Sequence, residues 1–186
     1  MKLFNAKEDN TVEALTIALN KAKEINSDLV VATTTGKTGL KALEMAKQSG
    51  FSNKLVLVTH CYGSAVKGEN RMPEEVRAQL KEGGAVLVTA AHALSAGERG
   101  ISSVYKGTYP LEIIAQTLRS ISAGTKVAYE IALMACDAGE IGYQKPTVCV
   151  GGTGKGADTV CVISPSYSSA IFETKINEIL AKPDLY

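Results

Sequence analysis

The sequence predicts a three-layer α/β/α domain on a five-stranded, mostly parallel sheet whose last strand runs antiparallel. Three observations carry this. Short continuous apolar runs alternate with segments of helical periodicity. The first runs are separated by whole helical segments, which calls for right-handed crossovers between parallel neighbours. The last two runs are joined only by a glycine-rich stretch, which suits an antiparallel pair. At 186 residues, the chain has room for one such domain, 1–186, with one sizeable core.

Residues 11–25 place Val12, Leu15, Leu19, Ala22 and Ile25 on one face, an opening helix. Residues 28–33 (DLVVAT) read as a strand, and a tight turn leads to Leu40, Leu43, Met45 and Ala46 at helical spacing up to Ser49-Gly50. Residues 54–59 (KLVLVT) repeat the pattern of a strand buried on both faces. Pro73, Glu74 and Glu75 suit the first turn of a helix through Leu80, stopped by Gly83-Gly84. A third strand spans 85–89 (AVLVT). Behind it a loop of about twenty residues reaches Pro110, a length that in a compact domain usually means function or disorder. Helices follow at 111–121 and 126–138, separated by Ala123-Gly124. Strands at 147–150 and 159–163 and a closing amphipathic helix at 170–180 complete the reading.

Composition narrows the function classes. Twenty basic residues against 19 acidic ones supply no broad positive field, so nucleic acid and anionic membrane surfaces are not expected partners. The first residues turn charged before a signal region can form, and no apolar run approaches the roughly 18 residues of a membrane span. A cytoplasmic protein is expected. Cys61, Cys136, Cys149 and Cys161 show no C-x-x-C spacing and read as free, mostly buried thiols.

In a parallel sheet flanked by helices, ligands bind at the carboxyl ends of the strands. There the chain carries Thr33-Thr34-Thr35-Gly36-Lys37-Thr38, then Thr59-His60-Cys61-Tyr62-Gly63, then Thr89-Ala90-Ala91-His92, and last Gly151-Gly152-Thr153-Gly154-Lys155-Gly156. The only two histidines fall on this edge. The first turn combines hydroxyls, a glycine, a lysine and the positive end of a helix, the chemistry of a phosphate site. It is not a Walker A loop, because Val31 stands where that loop needs its first glycine. The plain alternative is a capped turn with Thr35 or Thr38 as N-cap. The glycines of the fourth segment fit a phosphate or the flat face of a ring, or simply a hairpin; a strand follows them, which excludes a Rossmann fingerprint. His60 and His92 are candidate hydrogen-bond donors to a ligand, or an acid/base pair with Cys61 as nucleophile in a hydrolase. No spacing points to a metal site. Within the long loop, Arg99 is a candidate phosphate partner in a lid that includes Ser95 and Glu98, though an exposed charged loop looks the same.

The order of elements, the T-x-x-G-x-T turn at 33–38, and the stretch ALMACDAGEI at 132–141 leading into PTVCVGGTGKGADT at 146–159 resemble the C-terminal domain of pyruvate kinase. More closely, the chain resembles the small stand-alone proteins, many archaeal, that consist of this domain. The resemblance implies a phosphate held by Thr33, Thr35, Gly36, Lys37 and Thr38, and Thr34 in the same turn is a further candidate cofactor-binding residue. It implies flavin mononucleotide (FMN) as cofactor, its ring across Gly151, Gly152, Thr153 and Gly154, with His60, Tyr62, Thr89, Ala90 and His92 nearby; Thr59 and Arg99 are further candidate binding residues, though the loop that carries His92 and Arg99 has no counterpart in pyruvate kinase. If the protein is an enzyme, the resemblance implies a flavin-dependent oxidoreductase. Because domains of this kind often pair, a homo-oligomer is also implied. Pyruvate kinase activity is not implied, since its catalytic barrel lies in another domain. The competing expectation is a regulatory module for a sugar phosphate or nucleotide, with no cofactor and no catalysis.

Overall fold

A computed structural model describes residues 1–154 and 156–184. In chain order its elements are β1 (Lys2–Phe4), α1 (Thr11–Glu24), β2 (Leu29–Ala32), α2 (Lys37–Gln48), β3 (Leu55–Thr59), α3 (Glu74–Glu82), β4 (Val86–Thr89), α4 (Ala96–Tyr105), α5 (Pro110–Arg119), α6 (Ala123–Asp137), β5 (Thr147–Gly151), β6 (Thr159–Ser164), a 3-10 turn (Ser168–Glu173) and β7 (Lys175–Pro183). The strands form one mixed sheet in the order β1-β7-β6-β5-β2-β3-β4. β2 pairs in parallel with β3 and β5, and β3 with β4, while β6 is antiparallel to both β5 and β7.

The continuous apolar runs become central strands because both sheet faces are covered. On one face Leu29, Val31, Leu57, Val148, Val150 and Val160 pack against α1, α2 and α3. On the other, Val30, Val56, Val58, Cys149, Cys161 and Ile163 pack against α6. A third cluster of Leu94, Ala115, Tyr129 and Leu133 lies where α5 rests on α6. Each of these fully buried side chains contributes on the order of 1.5–3 kcal/mol for the larger residues, so the sheet is a rigid platform for the turns at its edge.

The structure departs from the sequence expectations in four places. The sheet has seven strands, not five, because a short β1 precedes the opening helix and the closing helix is absent. Residues 170–180 instead contribute to the 3-10 turn and to β7. The misleading signal is the spacing of Ile176 and Ile179, three apart on one apolar face as in a helix. Their partners on β6, Ile163 and Cys161, are two apart, and a bulge in β7 absorbs the extra residue. β6 is buried along most of its length and needs a partner strand on that side. Next, the expected long loop contains α4, an amphipathic helix with no buried residue, fastened to α5 where the Leu111 N–H donates to Glu98 (2.8 Å) and Ser102 to Glu112 (2.8 Å). α6 starts at Ala123 rather than at 126, because Ser122 caps it, accepting the Thr125 N–H at 2.9 Å. Finally, α2 is not capped by a threonine, as described below.

Among the described residues no helix is long and apolar enough to cross a membrane. The four cysteines are free; Cys136, Cys149 and Cys161 are buried and Cys61 is half-buried. Burial pushes the Cys149 thiol well above its ordinary range and Cys161 up to about 12, so both are unreactive packing residues at neutral pH.

Candidate functional site

The turn after β2 is built around Gly36. This residue is the N-cap of α2 at φ 93°, and a Cβ there would fall 2.2 Å from Val76 Cγ1. Only glycine reaches this left-handed conformation so close to α3, which is why the cap is not Thr35 or Thr38. Thr33 is buried and its Oγ1 accepts the Gly39 N–H at 3.1 Å. The N–H groups of Lys37 and Thr38 have no partner inside the helix and no side chain caps them. The hydroxyls of Thr34, Thr35 and Thr38 and the ammonium of Lys37 likewise meet no partner among the described residues.

This turn opens on a cleft of about 1560 Å³ along the carboxyl edge of the sheet. Thr33, Thr34, Thr35, Lys37, Thr38, Thr59, His60, His92, Arg99, Gly152 and Gly154 all line it. The other expected residues stand behind or beside the wall. Gly36 is buried against Val76, and Gly151 against the Gly124 carbonyl of α6. The Thr89 hydroxyl is taken by Thr59 (2.7 Å) and Arg77 (3.1 Å). Ala90 packs into the core beneath α6. Tyr62 is exposed, with its ring 5.9 Å from the Arg77 guanidinium. Thr153 donates to Asp158 at 2.9 Å, pinning the glycine-rich hairpin. Lys155, within the quoted glycine-rich segment, lies outside the described residues.

The floor holds an ion pair that sequence reading missed. Lys126 and Glu130, one turn apart on α6, are both buried and meet at 2.5 Å. Glu130 also accepts the Leu94 N–H at 3.0 Å, so it ties α6 to the segment carrying His92. Burial pulls the Lys126 ammonium below its ordinary range, with Glu130 opposing that shift. The signal was a lysine and a glutamate four apart in an otherwise apolar helix. Arg71 and Arg119 also line the cleft and, like Arg99, have no ion-pair partner among the described residues.

The rings of His60 and His92 lie 4.6 Å apart, tilted by 56°. Both are half-buried, and among the described residues no ring nitrogen has a hydrogen-bond partner. Burial is the main influence holding both below the ordinary 6.5; His92 and Arg71 add to it at His60, while at His92 Lys126 and Arg99 add to it against Glu130. The folded chain therefore binds fewer protons here than the unfolded chain, and stability present above pH 6.5 is lost as pH falls below it. Urea midpoints at pH 7.5 and pH 5 are expected to show this loss in the wild type, and a smaller one in an H60Q/H92Q variant.

Among the described residues no group of three or more His, Cys, Asp or Glu is placed to hold a metal ion. The chemistry on offer is anion binding at the start of α2 and hydrogen bonding by two neutral imidazoles. No protein-family model matches the chain.

Proposed function

We propose that the cleft binds a phosphate-bearing small molecule, FMN in the first instance, with the phosphate seated on the turn between β2 and α2. The observation that carries this is the uncapped start of α2, where free N–H groups, the helix dipole, Lys37 and three threonine hydroxyls without a partner among the described residues all open on one large cleft. The rest of the wall fits a ring. Gly154 faces open space at φ 93°, so no side chain holds a flat molecule off there, while Gly152 lines the cleft and its missing Cβ leaves room for the Gly156 carbonyl. Apolar contacts come from Ala32, Val58 and Ile131, with His60 and His92 supplying polar ones. Such a mixture of apolar walls and few polar groups is typical of cofactor sites.

Thr34, Thr35, Lys37 and Thr38 would hold the phosphate, and the resemblance to the stand-alone pyruvate kinase C-terminal-like proteins supports the choice of FMN. When bound, FMN supplies one- or two-electron redox chemistry; the protein supplies binding, orientation and hydrogen bonds. The reading predicts a yellow protein. The visible absorption spectrum of freshly purified material, followed by mass spectrometry of what heat denaturation releases, is expected to give a flavin spectrum and FMN. A colourless protein that also fails to take up added FMN contradicts the flavin reading. A melting temperature raised by sugar phosphates or nucleotides in that colourless protein would identify it as a regulatory module instead.

A further inference from the structure

Arg99 of α4, Arg119 of α5 and Lys126 of α6 line the cleft from the side away from α2: α6 packs on the sheet face opposite α2, α5 on α6 and α4 on α5. Lys126 is held below its ordinary range partly by Arg119 and Arg99, and His92 partly by Lys126 and Arg99. All of these groups line the cleft, three cations against Glu130, which is already paired with Lys126. Glu112 also lines the cleft, but it accepts from Ser102 and is not among the influences on Lys126 or His92. Gathering like charges costs free energy, and Glu130 offsets only one of the three cations, which leaves the cluster with a net positive charge. Beside it lie the ring nitrogens of His60 and His92, without a hydrogen-bond partner among the described residues and, as neutral rings, able to donate and accept. At about 1560 Å³ the cleft also exceeds the roughly 300–1,000 Å³ of a usual single-ligand pocket.

We propose that this end of the cleft is a second subsite, taking a small 2-oxo or 2-hydroxy carboxylate beside the phosphate ligand. Arg99 and Arg119 at the rim bind the carboxylate, with Lys126 beneath supplying charge. The histidine pair bonds the adjacent oxygen, which a plain carboxylate lacks. The proposal rests on the phosphate reading only in assigning the other half of the cleft to a second molecule.

Calorimetric titrations with 2-oxobutyrate, 2-hydroxybutyrate, butyrate and inorganic phosphate, each with and without saturating FMN, test it. NMR of the imidazole C–H signals serves as a second readout, made simple because the chain has only two histidines. The oxo or hydroxy acid is expected to bind with FMN present, to shift both histidine signals, and to bind about tenfold or more tightly than butyrate. R99A and R119A, both at exposed positions, are expected to weaken it about 10–100-fold, and R119A to leave FMN affinity within about threefold. No binding by any of the three acids at millimolar concentration overturns the subsite. So does equal binding of butyrate, binding of inorganic phosphate alone, or displacement of the acid by FMN. Arginine-dependent binding of the acid to a protein that takes up no FMN supports the subsite and contradicts the flavin reading.

Discussion

Gly151→Ala is expected to destabilise the protein by about 3 kcal/mol or more, the upper range of overpacking. The added Cβ would lie 2.1 Å from the Gly124 carbonyl oxygen and 2.9 Å from the Ala128 nitrogen. Both are backbone atoms of α6, so no rotamer change relieves the contact. α6 would have to lift from β5, opening the core face that contains Cys149, Ala132 and Ile131. The same shift would carry Lys126 and Glu130 away from the cleft floor, so ligand affinity is expected to fall with stability. Gly97→Ala is the control. Gly97 sits in α4 with nothing within 4 Å of a Cβ, and the change is expected to gain about 0.5 kcal/mol. Urea unfolding of the two variants against the wild type checks both values.

Glu130→Ala is expected to cost about 3–5 kcal/mol, because it leaves the buried Lys126 ammonium without its partner. The substitution also leaves the Leu94 N–H without the carboxylate that anchors the His92 segment to α6. Lys126 then has to lose its proton or turn toward the water of the cleft it lines. A double variant, Lys126→Met with Glu130→Leu, is expected to recover most of the lost stability, since well-packed apolar pairs commonly replace buried ion pairs at little cost. It should not recover binding of an anionic ligand at that end of the cleft. Chemical denaturation of the single and double variants separates the two effects. A double variant no more stable than Glu130→Ala would mean that shape, not charge, sets the cost.

The α/β class was legible because β2, β3 and β5 are buried on both faces and therefore read as unbroken apolar runs. β7 was not, because its bulge imposes a helix-like spacing on Ile176 and Ile179. β1 is three residues long with one buried side chain, too short to show a period. α4 escaped because none of its residues is buried; its bonds to α5 fasten it in place. At the cleft, the T-x-x-G-x-T turn and the two histidines were visible because strand ends concentrate ligand contacts. Glu130 was not, because its value depends on Leu94, 36 residues away in sequence. Tyr62 illustrates the converse. Chain position places it on the functional edge, yet its ring turns out over Arg77 and leaves the cleft wall.

The most direct measurement of the phosphate site is a comparison of FMN with riboflavin, which differ only in the phosphate, by calorimetric titration of flavin-free protein. If the start of α2 holds the phosphate, FMN is expected to bind about tenfold or more tightly than riboflavin, and the difference should shrink in a Thr34→Ala/Thr38→Ala variant. Equal affinity for the two flavins, or no binding of either, would contradict the account.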